Sequence, residues 1–160
     1  MSTRLKIAFW CYLVSLLGPI AFGLMYLLRP EFMPYHAGAV GMSWAEVPRA
    51  FQVLILGLMR AAAGAWLALA LALGVLLAFP FRQGVAWARW AVPAAGLVNS
   101  AVALYATLYI QFNTHAETPW KVVTGIMVLN IAGLLLSLEH PTRPGSKIEA
   151  QGRRGDAAGP

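Results

Sequence analysis

Four side chains stand where they could do chemistry: Arg60, a lone charge within a long apolar run, and Glu31, His36 and Glu46 in the hydrophobic stretch that precedes it. A guanidinium with two carboxylates and an imidazole around an apolar mouth could bind an anionic or quinone-like ligand. The same set could equally be a salt-bridge network that holds no ligand. An ionised group inside a membrane span costs about 2.5–3.5 kcal/mol on insertion scales, so it usually faces a partner, a watery cavity or the interface. Arg60 therefore admits three readings: a snorkelling or structurally paired charge, an anion or headgroup contact, and a residue of a transport path. On a helix, Val53, Leu56, Gly57, Gly64 and Leu67 share its face, and the glycines would admit a neighbouring backbone.

Other chemistries lack their residues. The single cysteine, Cys11, excludes an internal disulfide, a CxxC redox pair and a structural zinc site. His36 and His115 fall at one end of the spans and His140 at the other, with no HxxxH spacing, so no metal or haem is expected. The sole aspartate, Asp156, lies in the tail, which leaves no Ser-His-Asp set. Proton-coupled export would call for an acidic group within a span, but every glutamate lies outside the spans or at their ends. Catalysis by side chains and a bound cofactor are not expected.

The elements that position these residues follow from composition. The 160 residues are 59% hydrophobic and 11% charged, with a mean hydropathy of +0.66. A soluble domain carries roughly 25% charged residues. The chain is read as an all-α integral membrane four-helix bundle with spans over residues 7–28, 51–79, 90–112 and 119–138, joined up-down-up-down through an outer loop, 29–50. The first run is too long for a cleavable signal core and is kept as a helix, with a kink expected at Gly18-Pro19. The second would measure about 43 Å at about 1.5 Å per residue, so it tilts, or its first turns stand above the membrane under the outer loop. Thr118 as N-cap and Pro119 at the first helical position are predicted to open the fourth.

Arg4, Lys6, Arg82, Arg89 and the basic residues of the tail outweigh Arg29, Arg49 and Lys121, which places both termini and the second loop in the cytoplasm. The Lys and Arg residues gather at span ends rather than in a stripe, so no nucleic acid is expected. Helix contacts should use small residues, since lipid is as apolar as leucine. Candidate ladders are Gly57, Ala61 and Ala65; Ala70, Gly74 and Ala78; Ala95, Asn99 and Ala103; and Gly125 with Gly133. The outer loop, rich in Phe32, Met33, Tyr35, Met42 and Trp44, is predicted to lie on the bundle as a lid. Within it, Ser43 and Glu46 match a capping box. Residues 1–140 form the membrane domain, and 141–160, rich in Pro, Gly and mixed charge, read as a flexible cytoplasmic tail.

Arg29-Pro30-Glu31-Phe32 after the first span, Gly41-Met42 in the loop, and Leu58-Met59-Arg60-Ala61-Ala62-Ala63-Gly64-Ala65-Trp66-Leu67-Ala68-Leu69 in the second span resemble the DoxX-like group of small bacterial four-span membrane proteins. The segment Gly84-Val85-Ala86-Trp87-Ala88-Arg89-Trp90 is similar to the basic, tryptophan-rich turn common in that group, and the long PEFMPYHAGAVGMSW loop departs from its shorter patterns. The resemblance implies a bacterial inner membrane and, for some members, a place as membrane subunit of a respiratory or sulfur-compound redox complex. It carries over only Arg60 as a characteristic position, and no catalytic residue. The expected function is that of a non-catalytic accessory subunit or small-ligand binder in the lipid bilayer, with a membrane-protein partner or a second copy. The alternatives are a small carrier or channel for an apolar or anionic solute, and a quinone-contacting subunit of a redox complex.

Overall fold

The computed structural model describes residues 2–138, so the tail expectation for 141–160 lies outside the described residues. Within them the order is α1 (Thr3–Leu28), α2 (Pro34–Val40), a 3-10 turn (Trp44–Glu46), α3 (Arg49–Leu76), a π-helical turn (Leu77–Phe81), α4 (Ala88–Asn113) and α5 (Trp120–Ser137). Four helices are long and apolar enough to cross a membrane, with α3 and the π turn forming one span of 33 residues. The chain is a multi-pass, all-helical membrane protein of four-helix bundle architecture. The end carrying α2 is called outer below, following the charge bias.

α1 is the centre of the packing: it lies against both α3 and α5, and α4 lies along α5, whereas α3 and α4 touch little. At the inner end Leu5, Ala8, Tyr12 and Leu16 of α1 meet Leu73, Leu77 and Phe81, with Ala88 and Val92 of α4. The Tyr12 ring stands edge-on to Phe81 with centroids 5.6 Å apart, and its hydroxyl shares a 3.3 Å hydrogen bond with Ser137. The π turn falls at Pro80, whose ring removes a donor from the helical ladder, and the carbonyl of Pro80 then accepts from the Val85 amide at 3.0 Å.

The length excess of the second span is resolved by the outer loop. Phe32, Met33 and Val47 are buried against Met59, with Ile55 and Leu56 beside them, so one face of the first turns of α3 lies beneath a lid. Glu46 Oε2 accepts from the Ser43 amide and hydroxyl, both at 2.7 Å. Gln52 Nε2 ties the same turn to α3 by donating to the carbonyls of Trp44 (2.9 Å) and Val47 (3.0 Å). Gly38 of α2 sits so close to Ala116 that a Cβ would lie 3.3 Å from its Cα, which locks the two outer loops together.

Three local expectations are corrected. Gly57, Ala61 and Ala65 do not form a packing ladder: all three are exposed on the outside of α3, and a Cβ on Gly57 would meet nothing within 4 Å. Gly125 and Gly133 do not share a contact, since only Gly133 receives a neighbour, the Tyr12 ring. Thr118 does not cap α5, which starts at Trp120. Its amide and hydroxyl instead donate to Gln111 Oε1 at 2.8 and 3.1 Å, and the hydroxyl also to the Thr107 carbonyl at 3.0 Å, which stitches the third loop to α4. The other helix ends fall close to the expected ones, and α1 runs unbroken through Gly18 and Pro19.

Candidate ligand cavity

Between the inner core and the outer lid the bundle leaves a cavity of about 140 Å³. Small residues create it. Gly18 and Pro19 of α1 face Ser100, Ala103 and Ala106 of α4, while Val123 and Ile126 of α5 form the back wall and Trp66 is the one contribution of α3. Counting along α1 from Lys6 at about 1.5 Å per residue puts Gly18 about 18 Å and Tyr26 about 30 Å into the bilayer. The cavity therefore runs from mid-membrane to the outer edge of a hydrocarbon layer roughly 30 Å thick. Ala106, which lines it, is exposed, and α3 and α4 barely meet on that side, so the cavity opens towards lipid.

The floor is closed. Ser15 Oγ shares its proton between the Tyr12 carbonyl (2.8 Å) and Asn130 Oδ1 (3.4 Å), and Asn130 Nδ2 donates to the Ile126 carbonyl at 3.0 Å. Gly96 is needed here, because a Cβ would fall 2.4 Å from Asn130 Oδ1. Along the wall Ser100 Oγ donates to the Gly96 carbonyl (2.8 Å) and Thr107 Oγ1 to that of Ala103 (2.9 Å). Both hydroxyl protons are thus turned back onto α4, leaving an apolar wall with Asn99 at the deep end.

The roof is polar. Tyr26 of α1 and Tyr35 of α2 share a hydroxyl–hydroxyl hydrogen bond, and the Tyr26 hydroxyl also bonds His36 Nε2 at 3.3 Å. His36 occupies the third position of α2, and its Nδ1 accepts from the Met33 amide at 3.4 Å. An accepting Nδ1 puts the imidazole proton on Nε2. Burial pushes the His36 pKa below its ordinary value and so keeps the ring neutral. Burial, then the bond to Tyr26 and the proximity of that phenol, push Tyr35 well above the ordinary tyrosine value. The rings are stacked edge to face: Tyr35 to His36 at 4.5 Å and Tyr26 to Trp66 at 5.0 Å between centroids.

Of the four residues singled out by sequence, only His36 lines this cavity. Glu31 pairs with Arg29 at 3.3 Å, and Glu46 is held by Ser43, which lowers its pKa. Arg60 is exposed on the outer flank of α3, with no hydrogen bond or ion pair among the described residues, so the structure does not gather the set around it. Measured back about 20 residues from Phe81, Arg60 falls at the outer hydrocarbon boundary, within snorkelling reach of headgroups. No group of three potential metal ligands occurs among the described residues.

No protein-family profile, curated protein or solved structure matches this chain. Its own geometry therefore carries the functional argument. Sequence reasoning missed Tyr26, Tyr35 and Trp66. The available signal was a tyrosine at each end of the short segment between the first span and the loop helix, which only becomes a cluster once the chain reverses through Arg29–Met33.

Proposed function

We propose that the protein is a non-catalytic binder of a small, largely apolar molecule drawn from the surrounding lipid. The observation that carries this reading is the cavity of about 140 Å³ beneath the lid. An engineered apolar cavity of roughly 150 Å³ stays dry and takes up benzene, so a single ring fits, with any tail leaving past Ala106 into the bilayer. The closed floor of Ser15, Asn130, Tyr12 and Phe81 favours binding over conduction. In this reading the chain is an accessory subunit among DoxX-like four-span proteins of a bacterial inner membrane, with Arg60 and the small residues beside it facing lipid or a membrane partner.

The test is equilibrium binding of tritiated hexylbenzene to the protein in nanodiscs, corrected for empty nanodiscs. Saturable binding of one molecule per chain is expected. Ala103→Phe, which places a ring inside the cavity, is expected to abolish it while the helix content stays unchanged. Uptake that never saturates, or that Ala103→Phe leaves intact, would rule out this cavity as the site.

A further inference from the structure

Resting on the cavity reading above, we infer that the occupant is an uncharged molecule whose ring carries a hydrogen-bond acceptor, a carbonyl oxygen above all, and that this oxygen docks on the Tyr26–Tyr35 pair. The argument is a count of protons. The His36, Tyr26 and Tyr35 side chains bring three donors, the imidazole Nε2–H and two phenol O–H groups. They are joined by two hydrogen bonds, Nε2 to the Tyr26 hydroxyl and one phenol to the other. Whichever way the phenol–phenol bond points, one O–H is left over. The remaining nitrogen cannot take it, because Nδ1 already accepts from the Met33 amide.

The leftover donor has no protein acceptor within reach in the described structure, and all three side chains line the cavity. Ser100 and Thr107 direct their own protons elsewhere, and no hydrogen bond joins either oxygen to the phenols. A half-buried O–H facing an apolar space is costly to leave unpaired. An incoming oxygen atom satisfies the donor. Charge is excluded by the same inventory: no Lys or Arg lines the cavity to neutralise an anion, and no carboxylate lines it to hold a cation.

The experiment compares 4-hexylacetophenone with its near-isosteric hydrocarbon, 1-ethyl-4-hexylbenzene, and with 4-hexylbenzoate, on the full chain in nanodiscs. The ketone is expected to bind about tenfold more tightly than the hydrocarbon, as one buried hydrogen bond to an otherwise unpaired donor gives. The benzoate is expected to bind least. In the triple variant Tyr26→Phe/Tyr35→Phe/His36→Leu, which also removes the Nε2–H that the loss of the Tyr26 hydroxyl would leave unpaired, the ketone and hydrocarbon should bind alike, with hydrocarbon affinity retained. Equal affinities in the wild-type protein, or tightest binding of the benzoate, would overturn the inference while leaving the cavity reading standing. Absence of saturable binding by all three probes would remove the cavity reading itself. Should the triple variant fail to fold, the wild-type complex with carbonyl-13C ketone decides. A carbonyl stretch shifted to lower frequency than in lipid supports the contact, and an unshifted one refutes it.

Discussion

Two glycines of α5, eight positions apart, offer a matched test of where the bundle is tightly packed. A Cβ on Gly133 would lie 2.5 Å from Cε1 and 2.7 Å from Cζ of Tyr12. That ring cannot move aside: it is 1% exposed, edge-on to Phe81 and hydrogen-bonded to Ser137. A Cβ on Gly125 meets nothing within 4 Å. Replacement by alanine gains about 1 kcal/mol of helix propensity at each position, so this term cancels between the two variants. What remains is the overpacking at Gly133, about 1–3 kcal/mol. At roughly 2–4 °C per kcal/mol for a chain of this size, Gly133→Ala should unfold several degrees below Gly125→Ala in the same detergent. The assay is the midpoint of thermal unfolding followed by size-exclusion chromatography. Equal midpoints, or a more stable Gly133→Ala, would refute the seating of Tyr12 on α5.

Three further outcomes are expected. Gly18→Ala forces Ile126 Cδ1, 2.2 Å from the new Cβ, to swing into the cavity, so hexylbenzene binding should fall several-fold while the unfolding midpoint changes little. Binding calorimetry alongside the unfolding assay checks both halves. His36 has its folded pKa lowered from 6.5 by burial. Its stabilising contribution is therefore complete above pH 6.5 and is lost as pH falls towards the lowered value. Protonation also takes the acceptor from the Met33 amide. The lid should become protease-sensitive below that pH, and His36→Leu should flatten the dependence. Arg60→Ala, which removes no hydrogen bond or ion pair among the described residues, should leave stability within about 0.5 kcal/mol. A larger loss would reveal a partner for the guanidinium.

The spans were legible because a long uncharged apolar run has few alternatives, and the lid because Phe32, Met33 and Trp44 are too apolar for water. The Ser43–Glu46 cap was legible because it is a local, fixed-spacing device. What failed was the direction of helix faces. In an alanine-rich helix flanked by lipid, Gly57-Ala61-Ala65 on the lipid side and Ala63 with Ala70 on the buried side carry nearly the same pattern, so hydropathy does not separate them. Thr118 was misassigned because its hydroxyl had a competing acceptor, the Gln111 amide oxygen, one helix turn beyond Thr107 and invisible to a local cap rule. The cavity depends on the gap between α3 and α4, a tertiary property. Of the four residues chosen by charge, three went to local partners or to the surface. The roof residues that join His36 are phenols, which attract less notice in an aromatic-rich chain.

The most direct measurement is photolabelling of the protein in nanodiscs with an alkylphenyl diazirine, mapped by mass spectrometry. Carbene insertion is expected to concentrate on Ala103, Ala106 and Ile110 of α4 and on Trp66, and to be displaced by excess hexylbenzene. Labelling spread evenly over the lipid-facing Val98, Val102 and Tyr105, and undiminished by competitor, would contradict the claim that this bundle holds a small apolar molecule between its helices.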